Sequence, residues 1–318
     1  MSSFYACSFF HPLSLAFFIP SAYNQFMKDL IINKKYDGKK LNNFLFDTFP
    51  NLSSSIFYRA LRKKDILVNG KRIHENITVF ENDTIRIYIS DELLDVFPSI
   101  PVIYEDSNIL IVNKPAGIEV TNHEHSLTNM LQKKYGNFVM PCHRIDRNTF
   151  GLVLFAKTEE SLSILLEKFK NREIEKHYLA QVYGIPKKDS ETLYAYLFKD
   201  TKKSRVYISD IPKKGYQKII TSYTIKEKDV KNHSSILDVN LKTGRTHQIR
   251  AHLAFIGYPI IGDGKYGKNE INKKFHQKTQ LLCSYKIKFN FYTDSGILNY
   301  LRGKEFSLNV FPFSIKED

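Results

Sequence analysis

An aspartate between two arginines, next to a short apolar run, is the stretch of this sequence best suited to chemistry. Asp146 lies between Arg144 and Arg147, and residues 151–156 are almost wholly apolar. Such a run is too short for a helix and predicts a buried strand, with Asp146 on the turn before it. A carboxylate held there among cations could act as a nucleophile or base. Aspartate is also an ordinary turn former, so the residues alone leave open that Asp146 only caps the turn and pairs with the arginines.

A second polar block follows a predicted strand nearly a hundred residues later in the chain. Residues 241–253 read Leu-Lys-Thr-Gly-Arg-Thr-His-Gln-Ile-Arg-Ala-His-Leu. The strand is expected to end at the Thr-Gly pair, and a helix to begin near Thr246. His247 and Arg250 would share one face of that helix, and Ile249 would lie on another face, directed to the core. Taken alone, an arginine in such a position is more often a surface charge.

These two blocks, with a third segment between them, resemble the RluA-type RNA pseudouridine synthases. Residues 143–157 are similar to the signature of that family, with Ile145 in place of the usual leucine and Phe150 in place of the usual serine. The order Thr-Gly-Arg-Thr-His-Gln-Ile-Arg-Ala-His-Leu within the second block matches another family motif almost letter for letter. Residues 176–184, Lys-x-Tyr-x-Ala-x-Val-x-Gly, resemble a further motif.

The resemblance implies a role for each of these residues. Asp146 would be the essential catalytic aspartate, and Arg250 the arginine that pairs with it. Tyr178 would stack on the uracil and help to remove its C5 proton. The remaining substrate-binding residues would be Arg144, which fills the vacated base stack, with Arg147, Arg245, His247 and Ile249, while residues 152–154 complete an apolar floor. A Lys-Pro-x-Gly turn at residues 114–117 resembles a structural loop of the family near the site.

The reaction implied by the resemblance is the isomerisation of uridine to pseudouridine within RNA. The N1–C1′ bond breaks, the uracil rotates while bound, and C5 bonds to C1′. This change is redox-neutral and needs no energy input, and the sequence has no phosphate loop and no dinucleotide fingerprint. His123 and His125 have no carboxylate or cysteine partner at a metal-binding spacing. We therefore expect neither a cofactor nor a metal.

Composition and charge indicate the partner and the compartment. The chain has 318 residues, enough for two domains, and a formal net charge of +14, which favours a polyanion over a general lysine-rich bias. Its three cysteines are widely spaced, which argues against a disulfide scaffold and fits a reducing compartment. The apolar residues 4–19 are too short to span a membrane. We expect a cytoplasmic, bacterial-type, monomeric protein that binds RNA; the sequence leaves organellar targeting open.

Four segments are expected along the chain. Residues 1–33 are interpreted as a leader, either disordered or an upstream start-site extension, and residues 34–89 as a small α/β RNA-binding domain. Residues 90–101, acidic and punctuated by proline, are interpreted as a linker. Residues 102–314 would form the catalytic domain. The predicted fold class is α+β, with the catalytic domain built on a mainly antiparallel sheet with flanking helices and loops.

The small domain resembles the S4 RNA-binding domain, which many members of the family carry in this position. An amphipathic stripe predicts a helix over residues 41–49, Ser53 offers the N-cap of a second helix, and Asn69-Gly70 predicts a hairpin turn. Six basic residues would neutralise RNA phosphates without reading sequence: Arg59, Arg62, Lys63, Lys64, Lys71 and Arg72. The alternative is a solvated basic face.

The substrate expected from an S4-bearing member of the family is large-subunit ribosomal RNA. Two alternatives remain at this stage. The same reaction could act on transfer RNA, or the protein could be a non-catalytic RNA-binding factor for ribosome assembly that keeps the synthase fold. The presence of Asp146, Tyr178 and Arg250 together argues against the second alternative, because a protein that only binds RNA has no need of all three.

Overall fold

The structure, a computed structural model, describes residues 27–50, 52–89, 94, 100–121, 126–136, 138–308 and 313. Residues 1–26 of the expected leader and most of the expected linker therefore lie outside the described residues. The described part of the chain contains both helices and strands, and the strands predominate.

The N-terminal unit combines two helices with short strands. Its helices are α1 (Leu41–Thr48) and α2 (Ser54–Arg62), and its strands are β1 (Lys28–Ile31), β2 (Lys39–Lys40), β3 (Ile66–Val68), β4 (Lys71–Arg72), β5 (Thr78–Val79) and β6 (Thr84–Ile87). An antiparallel sheet has the order β1-β6-β3-β4, and β2 pairs with β5. The expected start at residue 34 is wrong, because β1 pairs with β6 along its whole length. Such a short strand has no local signal.

Local sequence rules account for the elements of this unit. Leu41, Phe44 and Leu45 of α1 are buried, as the amphipathic stripe predicts. The Ser53 hydroxyl accepts a hydrogen bond from Ile56 N at 3.4 Å and caps α2. The turn between β3 and β4 has two residues with positive φ, Asn69 at 49° and Gly70 at 77°, the conformation that a tight hairpin requires.

The C-terminal unit is larger and is built on one extensive sheet. Its helices are α3 (Leu127–Tyr135), α4 (Glu159–Lys170), α5 (Gln248–Phe255) and α6 (Asn269–Lys274). Its strands are β7 (Val102–Glu105), β8 (Ile109–Lys114), β9 (Met140–Pro141), β10 (Phe150–Ala156), β11 (Ile174–Tyr183), β12 (Ser190–Asp200), β13 (Arg205–Ser209), β14 (Gln217–Asp229), β15 (Ser234–Leu241), β16 (Leu282–Phe289) and β17 (Glu305–Ser307). Short 3₁₀ helices cover Lys34–Tyr36 in the first unit and Gly296–Leu301 in this one.

The sheet has the order β13-β12-β14-β15-β11-β16-β10-β8-β7, with β9 beside β10 and β17 beside β16. Among the described strands, only β10 and β16 pair in parallel, so the expected mainly antiparallel α+β fold is confirmed. Strand β10 is covered on both faces: Val153 belongs to the core under α3 and α5, while Leu154 packs with Leu165 of α4. Burial on both faces explains its uninterrupted apolar run.

Candidate active site

A cavity of about 230 Å³ opens where the turn before β10, strand β11 and the start of α5 meet. These elements carry the three sequence motifs, which the fold brings together from distant parts of the chain. Seven of the residues selected from the sequence line the cavity: Arg144, Asp146, Tyr178, Arg245, His247, Ile249 and Arg250. Most of the selected chemical groups therefore share one space.

Asp146 occupies the turn before β10, and its side chain is 22% exposed. The turn is closed by a hydrogen bond from Thr149 N to the Asp146 carbonyl oxygen at 3.0 Å. Thr149 is itself buried, and its hydroxyl accepts a hydrogen bond from Gln280 Nε2 at 2.6 Å. Backbone and buried side chains thus hold the carboxylate at the cavity wall.

A buried lysine ties this turn to the Lys-Pro-x-Gly loop. Lys114 Nζ donates hydrogen bonds to the carbonyl oxygens of Pro115 and Ile118 at 2.8 Å and of Arg147 at 2.9 Å. Burial lowers the pKa of Lys114 to about 7, against the opposing effect of Asp146. Three carbonyl acceptors match the three N–H groups of an ammonium. Lys114 therefore holds the loop against the backbone beside Asp146.

Gly151 permits the close approach of β10 to β16. Its φ is +112°, and a Cβ at this position would collide with the carbonyl oxygen of Ser284. The preceding Phe150, which stands where the family pattern has serine, lies 6.3 Å from the ring of Phe313 and does not line the cavity. The aromatic substitution thus changes packing away from the cavity.

Arg250, on α5, makes ion pairs with two carboxylates. Its Nη1 donates to Asp146 Oδ2 at 2.9 Å, and its Nε and Nη2 donate to Asp263 at 2.7 and 2.9 Å. Burial works against the charge of the guanidinium, but Asp263 and Asp146 together raise the pKa of Arg250 above its ordinary value. The side chain is therefore a permanent cation, held in a fixed orientation beside Asp146.

Asp263 orients this arginine and was not selected from the sequence. Its Oδ1 also accepts hydrogen bonds from the backbone N–H groups of Lys265 at 2.8 Å and Tyr266 at 3.0 Å. Burial raises the pKa of Asp263, but hydrogen bonds from Arg250 and from the two backbone groups bring it below its ordinary value. The carboxylate accepts four hydrogen bonds in all, which locks the guanidinium in place.

His247 lies just before α5 instead of on it. Its φ of 53° is left-handed, so the expectation that it shares a helix face with Arg250 is wrong. Its Nδ1 lies 2.9 Å from the Tyr266 hydroxyl, which also accepts a hydrogen bond from Val206 N. We assign Nδ1 as the acceptor of the hydroxyl proton, which places the ring proton on Nε2, 3.9 Å from Asp146 Oδ2. Burial lowers the pKa of His247 to about 4, so the ring is neutral at pH 7.

Tyr178 forms an apolar wall of the cavity. It is only 5% exposed and belongs to the same core cluster as Ile145, Ile249 and Leu282. Burial, followed by the negative charge of Asp146, raises the pKa of Tyr178. The phenol is therefore protonated at neutral pH, and its ring is available for stacking.

Arg144 and Arg245 are exposed at the cavity, whereas Arg147 does not line it. The Nε of Arg147 donates a hydrogen bond to the carbonyl oxygen of Gly117 at 2.9 Å, and its expected role in substrate binding stays a prediction. Residues 152–154 do not line the cavity either; Leu241 and Leu282 lie there with Ile249. Period-two alternation buries residues 152–154 in the cores on the two faces of β10.

Sequence reasoning missed four further residues: Lys114, His143, Lys176 and Asp263. His143 and Lys176 line the cavity, and the other two hold its chemical groups in place. The only signal was their position inside or beside the quoted motifs, because nothing in their spacing reveals the contacts that they make.

The six basic residues of the N-terminal unit are all exposed. Four of them lie at the end of α2 and two on the following hairpin, and Arg72 joins the two elements by donating a hydrogen bond from Nη1 to the Lys64 carbonyl oxygen at 2.5 Å. The guanidinium of Arg72 also lies 5.7 Å from the ring centroid of Tyr88. The structure thus places these cations in adjacent elements.

The described ranges contain no group of three or more His, Cys, Asp or Glu side chains that could hold a metal ion. His123 and His125 lie outside the described residues. No helix in the part of the chain that the structure covers is both long and apolar enough to cross a membrane.

Comparison with known proteins agrees with this geometry. The RNA pseudouridylate synthase family model matches residues 108–255. Ribosomal large subunit pseudouridine synthase C of Buchnera aphidicola (Acyrthosiphon pisum, strain APS) is 35% identical, with 80% of this chain and 86% of that protein covered. An uncharacterized RNA pseudouridine synthase of Mycoplasma capricolum is 31% identical, with 87% and 96% covered.

A solved structure shares the fold. Human RNA Pseudouridylate Synthase Domain Containing 4 superposes with a TM-score of 0.53 at 19% identity, covering 66% of this chain and 88% of that one. The sequence motifs, the shared cavity and the extensive similarity to the bacterial relatives lead to one conclusion: this chain belongs to the RNA pseudouridine synthases of the RluA type.

Proposed function

We propose that this protein isomerises specific uridines of large-subunit ribosomal RNA to pseudouridine. The observation that carries the proposal is the 2.9 Å ion pair between Asp146 and Arg250 at the cavity. A carboxylate beside a fixed cation and an apolar, aromatic wall is what glycosidic chemistry on a bound base requires. The names of the bacterial relatives, ribosomal large subunit pseudouridine synthases, support the choice of RNA.

The target uridine must first leave its stack, at a cost of a few kcal/mol. Arg144 is exposed at the cavity mouth, next but one to Asp146 in the chain. Its guanidinium plane would fill the vacated position in the RNA, since such planes stack on bases. Arg245, the other exposed arginine of the cavity, would contact the RNA backbone.

In the chemical step, Asp146 would either attack C1′ or abstract the 2′ proton, and both routes end with the N1–C1′ bond broken. The uracil turns, C5 bonds to C1′, C5 loses a proton and N1 gains one, so no oxidant is needed. Arg250 holds the carboxylate, and Nε2 of the neutral His247 lies 3.9 Å from it. Because the phenol of Tyr178 is protonated, we assign it to stacking on the uracil instead of to removal of the C5 proton.

The N-terminal unit would act as an S4-like RNA anchor. Its support is the order of two helices followed by a hairpin, with six exposed cations at the junction. Such contacts position an enzyme through phosphates and carry no sequence information. We place the protein in the cytoplasm, as a monomer acting on ribosomal RNA.

The test is carbodiimide mapping of pseudouridine in cells that lack this gene, rescued by wild type, Asp146→Asn or Asp189→Asn. Asp189 is an exposed acid that pairs with Lys228 and serves as the matched control. A large-subunit site should vanish in the deletion and return with wild type and Asp189→Asn only. The purified Asp146→Asn protein should retain RNA binding, because only the reacting group changes.

Three outcomes would contradict the proposal. Activity of Asp146→Asn within tenfold of wild type would remove the catalytic assignment. Loss of a transfer RNA site alone would favour transfer RNA as the substrate. Unchanged maps, together with no conversion of bare transcripts by purified protein, would favour a non-catalytic assembly factor.

A further inference from the structure

Two polar residues of the cavity have no part in the isomerisation chemistry described above. Lys176 and His143 both line the cavity with Tyr178 and Asp146. Phe169 contacts both of them: Lys176 Nζ lies 4.4 Å from its ring centroid, and the His143 ring centroid lies 5.3 Å from it. Lys176 and His143 therefore form one corner of the cavity.

Lys176 is a cation without a counter-charge in the described part of the protein. It precedes Tyr178 by two positions on β11, so the two side chains lie on the same face of the strand. No hydrogen bond or ion pair joins its Nζ to another described residue, whereas Arg250 has two carboxylates. Burial lowers the pKa of Lys176 to about 8, which leaves most of the side chain charged at neutral pH. A partly desolvated charge of this kind is stabilised by an anionic ligand.

His143 adds a second unsatisfied donor. Its Nε2 accepts a hydrogen bond from Leu154 N at 3.1 Å, so the ring proton lies on Nδ1. Nδ1 is buried and has no hydrogen-bond partner among the described residues. Burial lowers the pKa of His143 to about 3, so the ring is a neutral donor at pH 7. A buried donor without an acceptor costs free energy until a ligand supplies one.

The ligand that suits this corner is a phosphate group. Uracil is neutral, and Tyr178 and Ile249 already offer it apolar surface, so it does not call for an unpaired ammonium. The sugar-phosphate backbone is the anionic part of RNA and enters the cavity with a flipped nucleotide. We propose that Lys176 and the Nδ1–H of His143 form a subsite for the phosphodiester group next to the flipped uridine. This inference rests on the proposed function and specifies how the substrate strand is held.

The first test compares Lys176→Met with Lys176→Arg. Methionine keeps an unbranched stem and removes the charge, while arginine keeps the charge. The RNA probe is a large-subunit stem-loop that wild type converts, and affinity is measured at several salt concentrations. Lys176→Met should bind about tenfold to a hundredfold more weakly, the loss expected for one charged hydrogen bond. Its slope of log affinity against log salt should fall by about 0.7, the value for one single-stranded phosphate contact.

Lys218→Met is the matched control. Lys218 is also a lysine over an aromatic ring, 5.6 Å from the centroid of Tyr194, but it is exposed and does not line the cavity. It should bind the stem-loop as wild type does. Wild-type affinity of Lys176→Met, or an equal loss in Lys218→Met, would overturn the subsite.

The decisive test replaces one phosphodiester on either side of the target uridine by an uncharged methylphosphonate. At one of these two positions the replacement should weaken wild type as much as Lys176→Met does, and it should cost Lys176→Met nothing further. Losses that add at both positions would show that Lys176 contacts another group, such as a uracil carbonyl, and would refute the proposal. The wild-type arm is informative by itself, because a wild-type protein that loses no affinity at either position would also refute the proposal.

His143→Gln isolates the second donor, because a glutamine carbonyl can still accept from Leu154 N while the Nδ1–H is lost. We expect His143→Gln to bind the unmodified stem-loop more weakly than wild type does. On RNA with methylphosphonate at the same linkage, the two proteins should bind equally. Wild-type affinity of His143→Gln for the unmodified stem-loop would remove His143 from the subsite. The trinucleotide UpUpU and its methylphosphonate analogues serve as a second probe. If wild type converts no uridine of large-subunit RNA, the proposed substrate is wrong. The subsite is then still tested with UpUpU, by comparing how much a methylphosphonate weakens binding to wild type and to Lys176→Met.

Discussion

Replacing Asp263 by asparagine should disable the site without touching the carboxylate that does the chemistry. Asp263 is 1% exposed, and its two oxygens accept from Arg250 Nε and Nη2 and from the backbone N–H groups of Lys265 and Tyr266. If the asparagine oxygen occupies the position of Oδ1, its amide nitrogen lies against Arg250 Nε. Both groups are hydrogen-bond donors, so no hydrogen bond forms between them. Among the described residues, Arg250 then keeps Asp146 as its one carboxylate partner.

The expected cost follows from the burial of the pair. Removing one partner of a buried ion pair lowers the free energy of unfolding by about 3–5 kcal/mol. Asparagine keeps the shape and part of the hydrogen bonding of Asp263, so the loss should be about 3 kcal/mol. The effect on rate comes from the displaced guanidinium. A misplacement of about 1 Å costs about a hundredfold in rate, so we expect a loss of this size in the isomerisation step.

Two measurements check this prediction on protein that is folded at the outset. Urea unfolding gives the free energy of unfolding, and single-turnover release of tritium from RNA labelled at uridine C5 gives the rate at saturating RNA. Asp189→Asn, an exposed acid, should match wild type in both. RNA affinity should be nearly unchanged, because Asp263 does not line the cavity. A variant within about 0.5 kcal/mol and threefold of wild type would refute the reasoning.

Three further predictions concern packing, pH and the N-terminal unit. Gly151→Ala should destabilise by about 3 kcal/mol or more in urea unfolding because of the Ser284 carbonyl, whereas Gly136→Ala, at φ +94° in open space, should cost about 1 kcal/mol; equal costs would contradict this. Burial lowers the pKa of His252 to about 4. As the pH falls below about 6.5, this histidine therefore binds a proton in the unfolded chain but not in the folded protein. The free energy of unfolding should consequently fall by about 1.4 kcal/mol per pH unit between pH 6 and 4 because of this residue. His252→Gln should flatten that fall, and an identical pH profile would count against it. Removing residues 1–89 should weaken RNA binding and reduce its salt dependence more than it slows conversion of a short stem-loop; an unchanged salt slope would speak against the S4-like anchor.

The sequence by itself determined the local elements and the chemical groups. The apolar residues 151–156 predicted strand β10, and the stripe over residues 41–49 predicted α1, because burial imposes the period of each element on the residue types. The turn at Asn69-Gly70 followed from the backbone conformation that such a pair accepts. Asp146, Tyr178 and Arg250 could be selected through family resemblance, since the chemistry depends on residue types within short motifs.

Only the tertiary structure decided which groups meet. Asp146 and Arg250 are 104 positions apart, and no local rule joins them. The pairing of Asp263 with Arg250 could not be predicted, because it depends on how the chain turns back after α5. The hydrogen bond from Arg147 to a loop carbonyl beside the cavity likewise depends on the fold. The physical reason is the range of the forces involved. Periodicity and turn preferences act over a few residues, whereas ion pairs and burial depend on how the whole sheet brings distant segments together.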